Sequence, residues 1–143
     1  MTGPDDGSFT GRHYQLAETV NVPPPVRARI PIMIGGSGER KTLRLVAQYA
    51  SACNLFGEGT EVVRRKLEVL RSHCDDVGRD YAAIRKTVLA QSDPVGDVDA
   101  FLREMEELAG LGVEMAVAMP RGDDPEAWTG RVVEEVLPRL REL

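Results

Sequence analysis

The stretch Ile30-Pro31-Ile32-Met33-Ile34-Gly35-Gly36-Ser37-Gly38-Glu39-Arg40 decides how this chain is read. A short apolar run ends in Gly-Gly-Ser-Gly, and a helical pattern follows at once. The reading is a strand, a flexible turn and a helix N-terminus. Such a turn can present several backbone N–H groups to one anion, and the helix dipole favours negative charge there. Its glycines admit positive φ and let a phosphate approach the backbone closely. The stretch is therefore equipped to hold a phosphate-bearing ligand.

Outward from the turn, the pattern is regular. Ile32 to Ile34 forms a continuous apolar strand, as expected where both faces are buried. Glu39 to Ala50 reads as a helix with Leu43, Val46, Ala47 and Ala50 on one face. Ala52 to Phe56 is a second strand, closed by Gly57. Thr60 is the expected N-cap of a helix to about Asp76, with Val63, Leu67 and Leu70 at helical spacing and Gly78 as its stop. Tyr81 to Ala83 makes a short turn, and Ile84 to Gln91 a third strand. Asp97 to Leu111 is a helix carrying Val98, Phe101, Leu102, Met105 and Leu108, ended by Gly112. Glu114 to Met119 is a fourth strand, and Pro125 to Leu140 a fourth helix, capped by Asp123-Asp124-Pro125. Upstream, residues 1–8 read as a flexible tail. Phe9 to Val22 holds a short extended excursion, with Val20 and Asn21 near its end. Pro23-Pro24-Pro25 gives a stiff connector. Residues 9–143 are taken together as one domain.

Four strand–helix units in succession imply parallel strands joined by right-handed crossovers. Two architectures fit: half of a (β/α)8 barrel, which in full takes about 250 residues, or a free-standing four-stranded sheet with helices on both faces.

Composition narrows the class. With 143 residues the chain is long enough for a real core. A net charge of −5 argues against general binding to nucleic acid or anionic membranes, without excluding a local anion site. No apolar stretch reaches the roughly 20 residues that span a bilayer. The acidic Met1-Thr2-Gly3-Pro4-Asp5-Asp6-Gly7 does not read as a signal peptide. Cys53 and Cys74 make no disulfide framework. The expectation is a cytoplasmic protein with reduced thiols. His73 and Cys74 are adjacent on a helix and point in different directions, so they read as a surface histidine and a half-buried thiol, not a metal pair. His13 lies in the excursion before the first β/α unit. No Gly-x-Ser-x-Gly elbow is present, and the Gly-rich turn lacks the Gly-Lys-[Ser/Thr] ending of a P-loop.

Several segments together carry a family resemblance. They are Gly11-Arg12-His13-Tyr14-x-Leu16, Pro23-Pro24-Pro25-Val26, Ile30 to Gly38, Thr42 to Ala50, Ala52-Cys53-Asn54-Leu55-Phe56-Gly57, Gly78-Arg79-Asp80, Leu111-Gly112-Val113 and Val136-Leu137-Pro138-Arg139-Leu140. In that order and spacing the chain resembles the luciferase-like monooxygenase family, and more narrowly its branch using the deazaflavin coenzyme F-420. The resemblance implies a (β/α)8 barrel, of which this chain is similar to the C-terminal half only, roughly strands 5 to 8. It implies an oxidoreductase binding F-420 or FMN, with hydride transfer or oxygen activation at the cofactor ring and an unidentified small-molecule substrate. By analogy, Gly35, Gly36, Ser37, Gly38 and Glu39 hold the cofactor phosphate, Ser37 adding a hydroxyl. Arg40 and Lys41 are further candidates for charge. Active sites of parallel barrels sit at the C-terminal strand ends, so Asn54, Phe56 and Gly57 are candidates to line the cofactor, although Cys53, Leu55 and Phe56 also read as core. One position departs from the family: Ser51 stands where an acidic residue is usual. No catalytic acid or base is identifiable. The alternative is a catalytically inert half-barrel. Its open edges and inner face favour pairing with a second copy or with a partner that supplies the other half.

Overall fold

A computed structural model of the chain describes residues 8–17, 22–27 and 29–143. Residues 1–7 of the expected tail over 1–8, and Val20 and Asn21 of the excursion, lie outside these residues. The chain divides into two compact units, Met1–Pro31 and Ile32–Leu143. In the first, β1 (Phe9–Thr10) pairs antiparallel with β2 (Gln15–Leu16), with His13 exposed in the bend between them.

The second unit contains four parallel strands, β3 (Met33–Gly35), β4 (Ala52–Gly57), β5 (Arg85–Ala90) and β6 (Met115–Val117), hydrogen-bonded in that order. They alternate with α1 (Thr42–Tyr49), α2 (Thr60–Val77) and α3 (Val98–Gly110). After β6, α4 (Pro125–Arg131), a π-helical turn (Val132–Val136) and α5 (Leu137–Leu140) follow without a break. Sheet order equals chain order, with no reversal. Right-handed crossovers that always step the same way place every helix on the same face.

Register and burial bear this out. The rows Ile34–Cys53–Lys86 and Leu55–Val88–Ala116 alternate with Gly35–Asn54–Thr87–Met115 and Phe56–Leu89–Val117. Cys53, Leu55 and Val88 are buried in one cluster with Leu43, Val46, Val63, Leu67, Leu70, Phe101, Met105 and Leu108, the inward faces of α1, α2 and α3. Met33, Phe56, Leu89, Met115 and Val117 do not belong to that cluster. Met33 and Phe56 are 51% and 45% exposed. The sheet is thus a four-unit portion of a (β/α)8 barrel, with the helices outside and, among the described residues, no helix on the inner face. Two-sided burial of the first strand, helices on both faces, and Phe56 as core are all overturned by the same cause: a sheet with no reversal in strand order has one helical layer.

The helix termini explain several motifs. α2 stops at Gly78, whose φ of 66° is left-handed, and the Arg79 N–H reaches back to the Cys74 carbonyl at 2.9 Å. Arg79 also donates to the Ala50 carbonyl at 2.6 Å, closing the end of α1, while the Asp80 carboxylate accepts the Ala82 N–H. Ser51 ties three strands at their starts: its N–H donates to the Ile32 carbonyl at 2.7 Å, and its carbonyl accepts the Arg85 N–H at 2.9 Å. Lys86 is buried with its ammonium 4.7 Å from the centre of the Tyr81 ring, and Arg71 lies at 4.6 Å from that centre. Asp124 caps α4 as expected, and Asp97, expected as the first residue of α3, is instead its cap.

Other boundaries differ from the sequence reading. The first long strand is Met33–Gly35, not Ile32–Ile34, and the fourth is shortened to Met115–Val117. α1 begins at Thr42, three residues later than expected, because residues 39–41 form a turn in which the Leu43 N–H bonds the Gly38 carbonyl. Thr60 is the first residue of α2, and Gly59 occupies the cap. The expected final helix is interrupted by the π-helical turn. Cys74 is fully buried, not half-buried.

Candidate functional site

Gly35 ends β3 opposite Asn54 of β4, so the Gly-rich turn and the end of the second strand lie side by side. The Gly36 N–H donates to the Asn54 carbonyl at 3.0 Å, and the Phe56 N–H donates to Ser37 Oγ at 3.1 Å. Two sequence-derived candidate groups, 35–39 and 54–57, are thereby one locus at the C-terminal ends of adjacent strands. Gly36 has φ of 114°, a region that favours glycine strongly. At Gly38 a Cβ would come within 2.8 Å of Thr42 Oγ1. Gly57 is buried, and a Cβ there would meet the Leu89 carbonyl at 3.0 Å, so it serves the close approach of β4 and β5.

Past Gly36 the chain makes a turn over Glu39–Lys41 before α1. The Leu43 N–H closes it on the Gly38 carbonyl at 3.0 Å. Among the described residues, the amides of Ser37, Gly38, Glu39, Arg40 and Lys41 have no hydrogen-bond acceptor. Ser37 Oγ accepts from Phe56 and keeps its own hydrogen to donate outward. An open depression of about 960 Å³ is lined by Ser37, Gly38, Glu39, Arg40, Lys41, Thr42 and Lys66. Arg40 and Lys41 have no carboxylate partner among the described residues.

The side chain and carbonyl of Glu39 face α2. Its carboxylate takes Lys66 Nζ at 2.7 Å and Arg65 Nε at 3.2 Å, and its carbonyl lies 2.8 Å from His73 Nε2. The Lys66 hydrogen bond, opposed by partial burial and helped by Arg65, holds the Glu39 carboxyl below its usual range. Sequence reading missed Lys66, Arg65 and His73. The only signal was that positions 66 and 73 are two helical turns apart and share a face.

Asn54 is half-buried on the helix-free face, and its Oδ1 lies 2.9 Å from the hydroxyl of buried Thr87. That hydroxyl also donates to the Cys53 carbonyl at 2.7 Å. Phe56 presents its ring on the same face. Farther along the strand ends, Trp128 Nε1 donates to Asp93 at 3.0 Å and Arg131 to the Val95 carbonyl at 3.0 Å, fastening the last helical segment to the loop after β5. Cys53 and Cys74 are buried, and burial pushes both thiols up, away from thiolate reactivity. Among the described residues no group of three or more His, Cys, Asp or Glu could hold a metal, and no helix is long and apolar enough to cross a membrane.

Comparisons with known proteins agree with this architecture. The sequence profile of the luciferase-like monooxygenases matches residues 2–110. Among solved structures, the chain is similar to the coenzyme F-420 dependent tetrahydromethanopterin reductase from Methanopyrus kandleri, with a TM-score of 0.68 at 15% identity. That match covers 92% of this chain and 57% of the reductase, so the chain spans little more than half its length. DmoA from Hyphomicrobium sulfonivorans is similar at a TM-score of 0.50 and 14% identity, over 69% of this chain and 22% of DmoA. No curated protein matches. At these identities the solved structures speak for the fold, while the sequence profile, extending from the N-terminal residues through α3, places the chain as a member of the luciferase-like monooxygenase family.

Proposed function

We propose that this chain forms the phosphate-holding part of a flavin- or deazaflavin-dependent oxidoreductase, binding coenzyme F-420 or FMN. The observation that carries the reading is the run of unpaired amides from Ser37 to Lys41 beside Arg40 and Lys41. Backbone donors at a helix start, with cations around them, suit a phosphate. The donor set fits such a group: every side-chain charge lining the depression is cationic except Glu39, which is already neutralised by Lys66 and Arg65. Ser37 Oγ–H would add a donor. Asn54 and Phe56, on the helix-free face next to the turn, would line the ring, Asn54 by its amide and Phe56 by its apolar surface. The bound cofactor would supply the redox chemistry, accepting or donating hydride or engaging oxygen. The F-420 dependence of the Methanopyrus reductase supports the deazaflavin as one of the two candidates. A fluorescence titration of the chain with F-420 and with FMN tests this. A saturable change with at least one is expected, and no change at high concentration of either would defeat the proposal.

A second reading concerns assembly. Among the described residues the face bearing Met33, Phe56, Leu89, Met115 and Val117 carries no helix, and β3 and β6 each pair with one strand of the sheet only. Apolar surface and unpaired edges of this kind favour association. We propose that this face meets a second half-barrel, from another copy or another chain. Size-exclusion chromatography with light scattering is expected to give at least a dimer; a well-dispersed monomer at high concentration would count against it.

A further inference from the structure

We infer that His73 is a positioning residue for the anion-binding turn, acting through the Glu39 carbonyl rather than on the ligand. The inference rests on the reading of the turn as an anion cradle. His73 sits on α2, 17% exposed, with Nε2 2.8 Å from the Glu39 carbonyl oxygen. A carbonyl only accepts, so Nε2 carries the hydrogen. Nδ1 is buried with no hydrogen-bond partner, and Asp76 Oδ2, at 3.8 Å, is too far for a hydrogen bond. Of the two ring nitrogens, Nε2 alone makes a hydrogen bond, and it goes to the turn.

The bond matters because of where it falls. Across a trans peptide the C=O and the next N–H point in opposite directions. Tying the Glu39 carbonyl to α2 turns the Arg40 N–H away from α2 and fixes the middle of the turn. The Glu39 side chain repeats the attachment one atom group away, through Lys66 and Arg65 of the same helix. Backbone and side chain of one residue are thus both anchored to α2, and the amides of Ser37 to Lys41 are set before any ligand arrives. Preorganisation of this kind lowers the cost of binding.

The test uses the full chain, inorganic phosphate as probe, and two variants. His73→Phe removes the donor, and His73→Gln keeps an N–H at similar reach. In His73→Phe the amides of Glu39, Arg40 and Lys41 should shift in the NMR spectrum and exchange faster, and phosphate affinity should fall about three- to tenfold. His73→Gln should restore both. Equal affinity and unchanged amides in His73→Phe would overturn the inference. If His73→Phe fails to fold, the wild-type ring decides: nitrogen NMR must show the Nε2–H tautomer, and the Nδ1–H tautomer would overturn the inference. If wild type binds no phosphate, the cradle reading fails, while the amide shifts still report on His73 by themselves.

Discussion

Two adjacent glycines in the turn should respond oppositely to alanine. Gly36 has φ of 114°, where a Cβ is strained whatever the space around it. Gly35 has no positive φ, and a Cβ there would meet nothing closer than the Asn54 carbonyl at 4.0 Å. Holding a non-glycine residue in such a region costs about 1–3 kcal/mol. For a domain of this size each kcal/mol moves the melting temperature by about 3–4 °C. Gly36→Ala should therefore lower Tm by about 3–12 °C, or relax the turn to escape the strain. Relaxation would break the Gly36-to-Asn54 hydrogen bond and re-aim the amides that follow, so phosphate binding should weaken with it. Gly35→Ala should leave Tm unchanged or raise it, since alanine removes freedom from the unfolded chain worth about 0.4–1 kcal/mol. Thermal unfolding by circular dichroism and a phosphate titration read both effects. A Gly36→Ala protein that melts and binds like wild type, or a Gly35→Ala protein that is equally damaged, would show that the positive φ at Gly36 does not shape the turn.

Three further outcomes follow from neighbouring contacts. Leu55→Ala, on the helix side, should cost about 2–5 kcal/mol in urea unfolding, whereas Phe56→Ala, 45% exposed, should cost less than about 1 kcal/mol yet weaken self-association. Glu39→Gln should melt lower than wild type at neutral pH. Because the folded Glu39 pKa lies below the ordinary 4.5, the wild-type advantage is present above that value and should vanish as pH falls through the folded one, seen as converging melting curves. Lys41→Glu should weaken phosphate binding about tenfold at low salt and less at high salt, with Tm unmoved; a salt-independent loss would point to a folding defect instead.

Much of the fold is legible in the sequence because its signals are local. The apolar spacing of Val63, Leu67 and Leu70, the left-handed Gly78 and the Asp97 cap each act within a turn or two of chain. The start of α1 was misjudged for the complementary reason: Lys41 gives no capping bond, so nothing local marks the boundary. The two faces of the sheet were also hidden. Leu55 and Phe56 look alike as apolar neighbours, but which one meets the helices depends on strand order across the whole sheet. The glycine turn and Asn54–Gly57 are each candidates on sequence alone, yet their adjacency comes from the pairing of Gly35 with Asn54. The attachment of Glu39 to Arg65, Lys66 and His73 links turn to helix across a full β/α unit, beyond the reach of any periodicity.

Whether the turn after β3 holds the phosphate of F-420 or FMN is decided by an amide NMR titration of the full chain with each cofactor. Saturable shifts are expected, concentrated at Ser37 to Thr42, with weaker ones at Asn54 and Phe56 of the neighbouring strand. Saturable binding that leaves Ser37 to Thr42 unmoved, or no binding of either cofactor, would contradict it.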